Sequence, residues 1–408
     1  MSPFRNDPVL PGVYRPDRPC RVLRIVGELN FGGTEMRTAE LLPRLATAGV
    51  EVHLVTLSDR IGSGPLAESV IRHGGLVTPI ALDARFAPRL FGLLRRLRPD
   101  VVHVDCANFS GVPLTLARLG GVPVRVAHFR GDDNVRRSLR RRISRWLCGR
   151  LLRASATDIL GVSPSALTFG YDVAWQNDNR CRVVLNGLDL DRLWAPGRDD
   201  LRALVGAEPG ALVCVSVGRA TPEKRRWLLP PILAELRSLG VPAHAVLVGP
   251  GDGADDDARV RAAAHAAGLA DRVHLIGPRD DVGHLLRQAD VVVHPSCLEG
   301  LPGGVLEPVA LGIGTVAADL PGVRFIEAHL PGVTVVDTDA PPRVWAEAVR
   351  TAAAYTATTT PQTAAARFAG SVFAIDAALA AHLAIYRPRD HPTAQRSRQP
   401  VGSERGPR

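Results

Sequence analysis

The sequence predicts an α/β protein made of two similar-sized, doubly wound units in tandem. Short apolar, β-branched runs alternate with amphipathic stretches along almost the whole chain, which is the βαβ rhythm of a parallel sheet. That rhythm stops at the turn signal Asn186-Gly187-Leu188-Asp189 and the Pro196-Gly197 pair, then starts again. A length of 408 residues fits roughly two to three domains at about 150 residues each.

In the first unit the run over residues 21–27 predicts a strand, and the pattern over 34–48 predicts the helix that follows it. Further strands are expected at 51–56, 101–104, 124–127, 158–162 and 183–185. The second unit repeats the scheme at 212–218, 245–248, 273–276, 291–294, 315–317 and 333–336. An Ala-rich helical stretch over 364–386 comes after the second unit has used its strands, so it must pack on something already built. The proline-rich residues 1–19 and the Arg, Pro, Gly and Ser of 387–408 predict disordered arms.

The net charge of +9 is unevenly spread. Residues 125–153 hold ten arginines against two aspartates, and 387–408 hold six arginines against Asp390 and Glu404. The body of the chain is therefore slightly acidic. Six scattered cysteines, with no CxxC pair and no signal peptide, fit reduced thiols in a cytoplasmic protein. No apolar run approaches the roughly 20 residues that span a bilayer.

Of the fifty basic side chains only Lys224 is lysine. Thr221-Pro222-Glu223-Lys224-Arg225 is not a Walker phosphate loop, which removes that class of nucleotide site. Lys224 instead follows Gly218-Arg219 at the carboxyl end of the second unit's first strand, an edge where open α/β sheets bind ligands. Two cations five residues apart around a proline turn suit a diphosphate, and they also suit a solvated helix start. In the first unit Asn30-Phe31-Gly32-Gly33-Thr34-Glu35 joins a strand to a helix. Its glycines allow a ligand close to backbone amides, or simply form a tight turn capped by Thr34. The strand 291–294 runs into Pro295-Ser296-Cys297-Leu298-Glu299-Gly300-Leu301-Pro302-Gly303-Gly304-Val305-Leu306-Glu307, a loop followed by a helix start. Carboxylates beside such an end fit neutral hydroxyl partners, such as those of sugar or ribose, or a helix-start charge effect.

Together these motifs resemble family 4 of the retaining glycosyltransferases. Glu299 to Glu307 matches its E-x7-E motif, and Gly218-Arg219 with Glu223-Lys224 matches its phosphate clamp. The Gly32-Gly33-Thr34-Glu35 opening, Pro99-Asp100-Val101-Val102-His103, Val162-Ser163, Asn186-Gly187-Leu188-Asp189 and Gly249-Pro250-Gly251 follow in the family's order, so the resemblance covers roughly residues 21–386. It implies a GT-B fold, two Rossmann-like domains facing across a cleft. An acceptor-side domain is expected over 20–195 with the crossing helix 364–386, and a nucleotide-sugar domain over 196–363.

The resemblance also implies transfer of a hexose, with retention, from a nucleotide-diphosphate sugar and without an obligatory metal or other cofactor. Arg219 and Lys224 would neutralise the departing diphosphate, helped by amides at Gly304, Val305 and Leu306. Glu307 would accept from the ribose, Glu299 would contact the hexose, and the Gly32-Gly33 loop would close over the phosphates. His128, at the end of the strand 124–127, would touch the donor sugar, and His103 could line the same cleft. The expected acceptor is a cell-envelope lipid, a polysaccharide or a secondary metabolite. A sugar-nucleotide epimerase or hydrolase of the same fold is the alternative enzyme. A nucleic-acid binder is disfavoured, because no recognised module accompanies the arginines.

The arginines of 136–153 are interleaved with Ile143, Trp146, Leu147 and Leu151 at helical spacing. Such a helix over 135–153 either makes peripheral contact with anionic membrane or buries its apolar stripe against the sheet.

Overall fold

The computed structural model describes residues 18–27, 33–59, 65–131, 139–251 and 254–386. The first sheet contains β1 (Cys20–Val26), β2 (Val50–Thr56), β3 (Val77–Pro79), β4 (Val101–Val104), β5 (Val124–Phe129), β6 (Asp158–Gly161) and β7 (Cys181–Val183). They lie in the order β3-β2-β1-β4-β5-β6-β7, and every pair is parallel. The second sheet contains β8 (Leu212–Val217), β9 (Ala243–Val248), β10 (Val273–Gly277), β11 (Val291–His294), β12 (Thr315–Ala318) and β13 (Val333–Val336). Its order is β10-β9-β8-β11-β12-β13, again all parallel.

Both sheets reverse their chain order beside their first strand, between β1 and β4 and between β8 and β11. Loops leaving such a strand pair diverge, and the carboxyl ends of the strands open a crevice there. The central strands are apolar on both faces because helices cover each side of the sheet. β1 shows this in Val22, Leu23 and Ile25, all fully buried, with one exception in Arg24, which is only 1% exposed.

Three expectations need correction. The strand expected at 183–185 pairs over Cys181–Val183. β3 was not anticipated, because an edge strand of three residues carries too little alternation to register. The single helix expected over 364–386 is two, Pro361–Ala369 and Ile375–Tyr386. Between them Gly370 ends the first helix, and the Leu188 amide bonds to the Phe373 carbonyl at 3.0 Å, fixing a bend.

The bend lets the chain cross between units. Ala364, in the first of these helices, faces Gly312 just beyond the helix Gly303–Ala310. The second helix places Ile375, Ile385 and Tyr386 in one core with Val22, Leu41, Leu54 and Val126 of the first unit. All six cysteines are unpaired. Among the described residues no helix is long and apolar enough to cross a membrane. Apart from residues 18 and 19, the expected arms lie outside the described residues.

Candidate active site

The second unit's crevice is assembled by backbone ties between the loops after β8 and β11. After β8 the chain makes a short 3₁₀ turn over Pro222–Lys224. The Glu223 carbonyl of that turn accepts from the Cys297 amide at 2.8 Å and from Ser296 Oγ at 3.1 Å. These bonds dock the Lys224 turn on the loop that carries Glu299. Lys224 Nζ then donates to Glu299 Oε1, and His294 Nε2 meets the same oxygen at 2.9 Å. Burial pushes the Glu299 carboxyl up, but the His294 hydrogen bond and the Lys224 charge outweigh it and hold the group down at about 2.

Two glycines set the spacing around this triad. A Cβ at Gly304 would lie 2.8 Å from His294 Nδ1, so the helix Gly303–Ala310 can start against the ring only with glycine there. A Cβ at Gly300 would lie 2.8 Å from the Arg130 carbonyl oxygen, so this glycine lets the end of β5 abut the second unit's loop. The Val305 and Leu306 amides donate to the Pro302 carbonyl at 3.2 and 3.0 Å, closing the helix's first turn.

Glu307, one turn further along, is the centre of an ion cluster between the units. Arg37 and Arg192 reach its Oε1 at 2.6 and 2.7 Å. The same two arginines hold Glu40 at 2.9 and 2.6 Å. Arg37 and Glu40 stand on the helix Gly33–Thr47, and Arg192 on the short helix Leu190–Trp194. Burial raises the Glu40 carboxyl, and the neighbouring arginines work against that rise.

Below the first unit's crevice lies a second buried network. Arg24, from inside β1, makes a two-pronged contact with Asp105 at 2.6 and 3.1 Å, just past the end of β4. Arg130 adds a bond to Asp105 at 2.9 Å and also reaches Asn186 and Thr38. Asp105 is pushed up by burial yet held well below the usual carboxylate range by these two guanidiniums. His103 Nε2 and His128 Nδ1 share a hydrogen bond of 3.0 Å, and His103 Nδ1 meets the Tyr386 hydroxyl at 2.8 Å. Burial lowers His103 to about 4 and His382 to about 3, and it also holds His128 well below its ordinary value. All three rings are therefore neutral at physiological pH. Ring nitrogens of His103, His128 and His382 lie within 4.8 Å of one another, a spacing that a metal ion could bridge. Arg24 and Arg130 stand beside them, paired with Asp105 and at longer range with Glu35, and the two guanidiniums favour the neutral form of His103.

This geometry can be set beside known proteins. The model for Glycosyltransferase Family 4 matches residues 31–192, and that for Glycosyl transferases group 1 matches 211–354, in tandem over most of the chain. The chain belongs to glycosyltransferase family 4. EpsF of Bacillus subtilis (strain 168), named as a glycosyltransferase, is 27% identical over 82% of this chain and 88% of its own. The UDP-Gal:alpha-D-GlcNAc-diphosphoundecaprenol alpha-1,3-galactosyltransferase of Escherichia coli is 25% identical over 59% of this chain and 63% of its own. Among solved structures, Anabaena HepE in complex with UDP superposes with a TM-score of 0.73 at 17% identity, covering 89% of this chain and 98% of that one. Its likeness establishes the GT-B fold.

Within this family 4 transferase, Lys224, Glu299 and Glu307 sit along the carboxyl edge of the second sheet, as their motif spacing predicted. Arg219 leaves the same strand end, and Glu35 and Arg219 are close enough to influence each other electrostatically. His128, expected to touch the donor sugar, is instead fully buried, and its Nε2 has no hydrogen-bond partner. Gly32 lies outside the described residues, while Gly33 opens the first helix. Sequence reasoning missed His294, Arg37, Glu40, Arg192, Asp105, Arg24 and Arg130. Arg24 carried a usable signal, because a lone charge inside a central apolar strand demands a buried partner. Asp105 carried another, as the first residue beyond a strand at the chain-reversal point.

Proposed function

We propose that this transferase moves a hexose, with retention of anomeric configuration, from a nucleotide-diphosphate sugar to a cell-envelope lipid, polysaccharide or secondary-metabolite acceptor. The observation that supports it best is the direct contact of Lys224 with Glu299, the intended phosphate-binding cation touching the intended sugar-binding carboxylate. Solved structures of HepE hold UDP and UDP-glucose, which makes a nucleotide-sugar donor the natural partner of such a crevice.

In this reading the departing diphosphate draws Lys224 away from Glu299 and joins it to Arg219. Negative charge grows on the leaving oxygen as the bond to the anomeric carbon breaks, and these two cations stabilise it. Glu299, still held by His294, then accepts from a hexose hydroxyl. Glu307 accepts from the ribose, positioned by Arg37 and Arg192. The family resemblance assigns the sugar side to His128, whose buried ring must be uncovered when the donor binds in order to serve it. No metal is required, because arginine and lysine supply the positive charge.

Thermal shift against a panel of nucleotide sugars identifies the donor, and acceptor screening with that donor follows. Lys224→Ala and Glu299→Ala should each reduce transfer by about 10² or more while leaving the fold intact. Full activity in both variants refutes the assignment. Interconversion or hydrolysis of the donor sugar without any acceptor points to the epimerase or hydrolase class instead.

A further inference from the structure

The helix Leu139–Ser155 carries six arginines and no acidic residue. Its buried face is Gly149, Leu152 and Ser155. That face crosses the helix Gly111–Leu119 at near contact, since a Cβ on Gly111 would lie 2.1 Å from the Cys148 carbonyl oxygen. The apolar stripe Ile143, Trp146 and Leu147 is thereby turned outward, contrary to its packing on the sheet. These side chains are 59%, 62% and 52% exposed. The Arg150 guanidinium covers one side of the Trp146 ring at 5.2 Å from its centroid.

A second segment extends this face. Phe169 and Val173, at and beyond the end of the helix Pro164–Gly170, are 40% and 76% exposed. Arg145 donates to the Phe169 carbonyl at 2.8 Å, and Arg153 pairs with Asp172 at 2.8 Å, fixing this segment alongside the arginine-rich helix. Five large apolar side chains thus stand in water within a strongly basic surround. A soluble surface seldom leaves such a group uncovered without a partner.

We propose that this face docks on an anionic lipid surface. Trp146, Ile143, Leu147, Phe169 and Val173 enter the headgroup layer, and the positive charge of the helix faces lipid phosphates. Charge decides among possible occupants. A second copy of the chain would set like charges against each other across the contact. A nucleic-acid backbone would satisfy the arginines but leave Ile143, Leu147 and Val173 facing water. The arginine-rich helix starts eight residues after Gly131, whose Cα would lie 2.9 Å from a Cβ at Gly300 in the second unit's loop. The face therefore lies on the first unit, close in sequence to the end of β5 at the cleft. The inference deepens the transferase reading by placing the acceptor at a membrane. Vesicle binding needs no donor, so either idea can fail alone.

The test is flotation of the full chain with vesicles of phosphatidylcholine alone and of phosphatidylcholine mixed with phosphatidylglycerol. Wild type should bind the anionic vesicles, release with salt, and ignore the neutral ones. Trp146→Glu with Leu147→Glu should raise the lipid needed for half-binding by about tenfold or more, at an unchanged thermal midpoint. Val173→Glu, on the separate segment, should act in the same direction and serves if the double variant does not fold. The proposal is overturned if wild type ignores anionic vesicles or binds neutral ones equally, or if the variants bind as wild type does. It is equally overturned if light scattering shows a dimer that Trp146→Glu abolishes.

Discussion

Replacing Glu299 by Gln keeps the side chain's size and removes its charge, so it isolates what the carboxylate does for the cleft. In the wild-type protein two donors, His294 and Lys224, converge on one oxygen and hold the carboxyl at about 2, against an ordinary value of 4.5. At about 1.4 kcal/mol per pH unit, this gap corresponds to roughly 3 kcal/mol of stability supplied by ionised Glu299 at neutral pH. The folded value lies below the unfolded one, so the unfolded chain takes up the proton first on acidification. The contribution is therefore complete above about pH 4.5 and fades as the pH falls toward 2. Urea unfolding of both proteins should show Glu299→Gln less stable by up to about 3 kcal/mol at neutral pH, with the gap closing in acid. An equal gap at neutral pH and near pH 3 refutes the electrostatic account. The same variant leaves Lys224 without its carboxylate, so its affinity for UDP should hold or rise while transfer is lost. Weaker UDP binding would show that the pair does not compete with a diphosphate.

Lys224→Arg conserves charge but replaces a compact ammonium, whose stem lies along Gly218, with a planar fork. Turnover should fall by about 10² with a smaller change in donor KM, and near-normal kcat would make the lone lysine incidental. Asp105→Asn leaves Arg24 buried against a neutral side chain and should cost about 3–5 kcal/mol in urea unfolding, a loss under about 1 kcal/mol being the refuting result. Burial keeps His103 and His382 neutral down to about 4 and about 3, so the unfolded chain binds protons that the folded chain refuses. Stability should decline as pH falls from about 6.5 toward 4, and His382→Phe should flatten part of that decline. An unchanged slope would mean that the histidine cluster is not its source.

The sheets were readable because a parallel strand buried on both faces leaves a continuous apolar run, and eleven of thirteen strands announced themselves that way. β3 left no such run, and the strand expected at 183–185 pairs two residues earlier, over Cys181–Val183. Lys224, Glu299 and Glu307 were legible because each belongs to a local motif with fixed spacing. Their partners were not. Arg37 meets Glu307 across 270 residues of sequence, and arginine is so frequent in this chain that no single one stands out. His294 is an ordinary strand-end residue until the loop folds back and brings Glu299 onto its ring. The exposure of Ile143, Trp146 and Leu147 was equally hidden, since helical spacing gives a shared face but not the direction that face points.

The bent crossing of the last two helices has a consequence for how the chain is made. Tyr386 closes on His103 across 283 residues, and Ile375 and Ile385 complete a core otherwise built from the amino-terminal half. During synthesis from the amino end, the first sheet can pair its strands long before those side chains emerge from the ribosome. It waits through the whole of the second unit with a vacant apolar seat beside Val22 and Val126. The first unit can thus begin to fold early, but its core is complete only once Ile375–Tyr386 has been made. A fragment ending before Ile375 would keep all seven strands of the first sheet yet lack the plug that seals it.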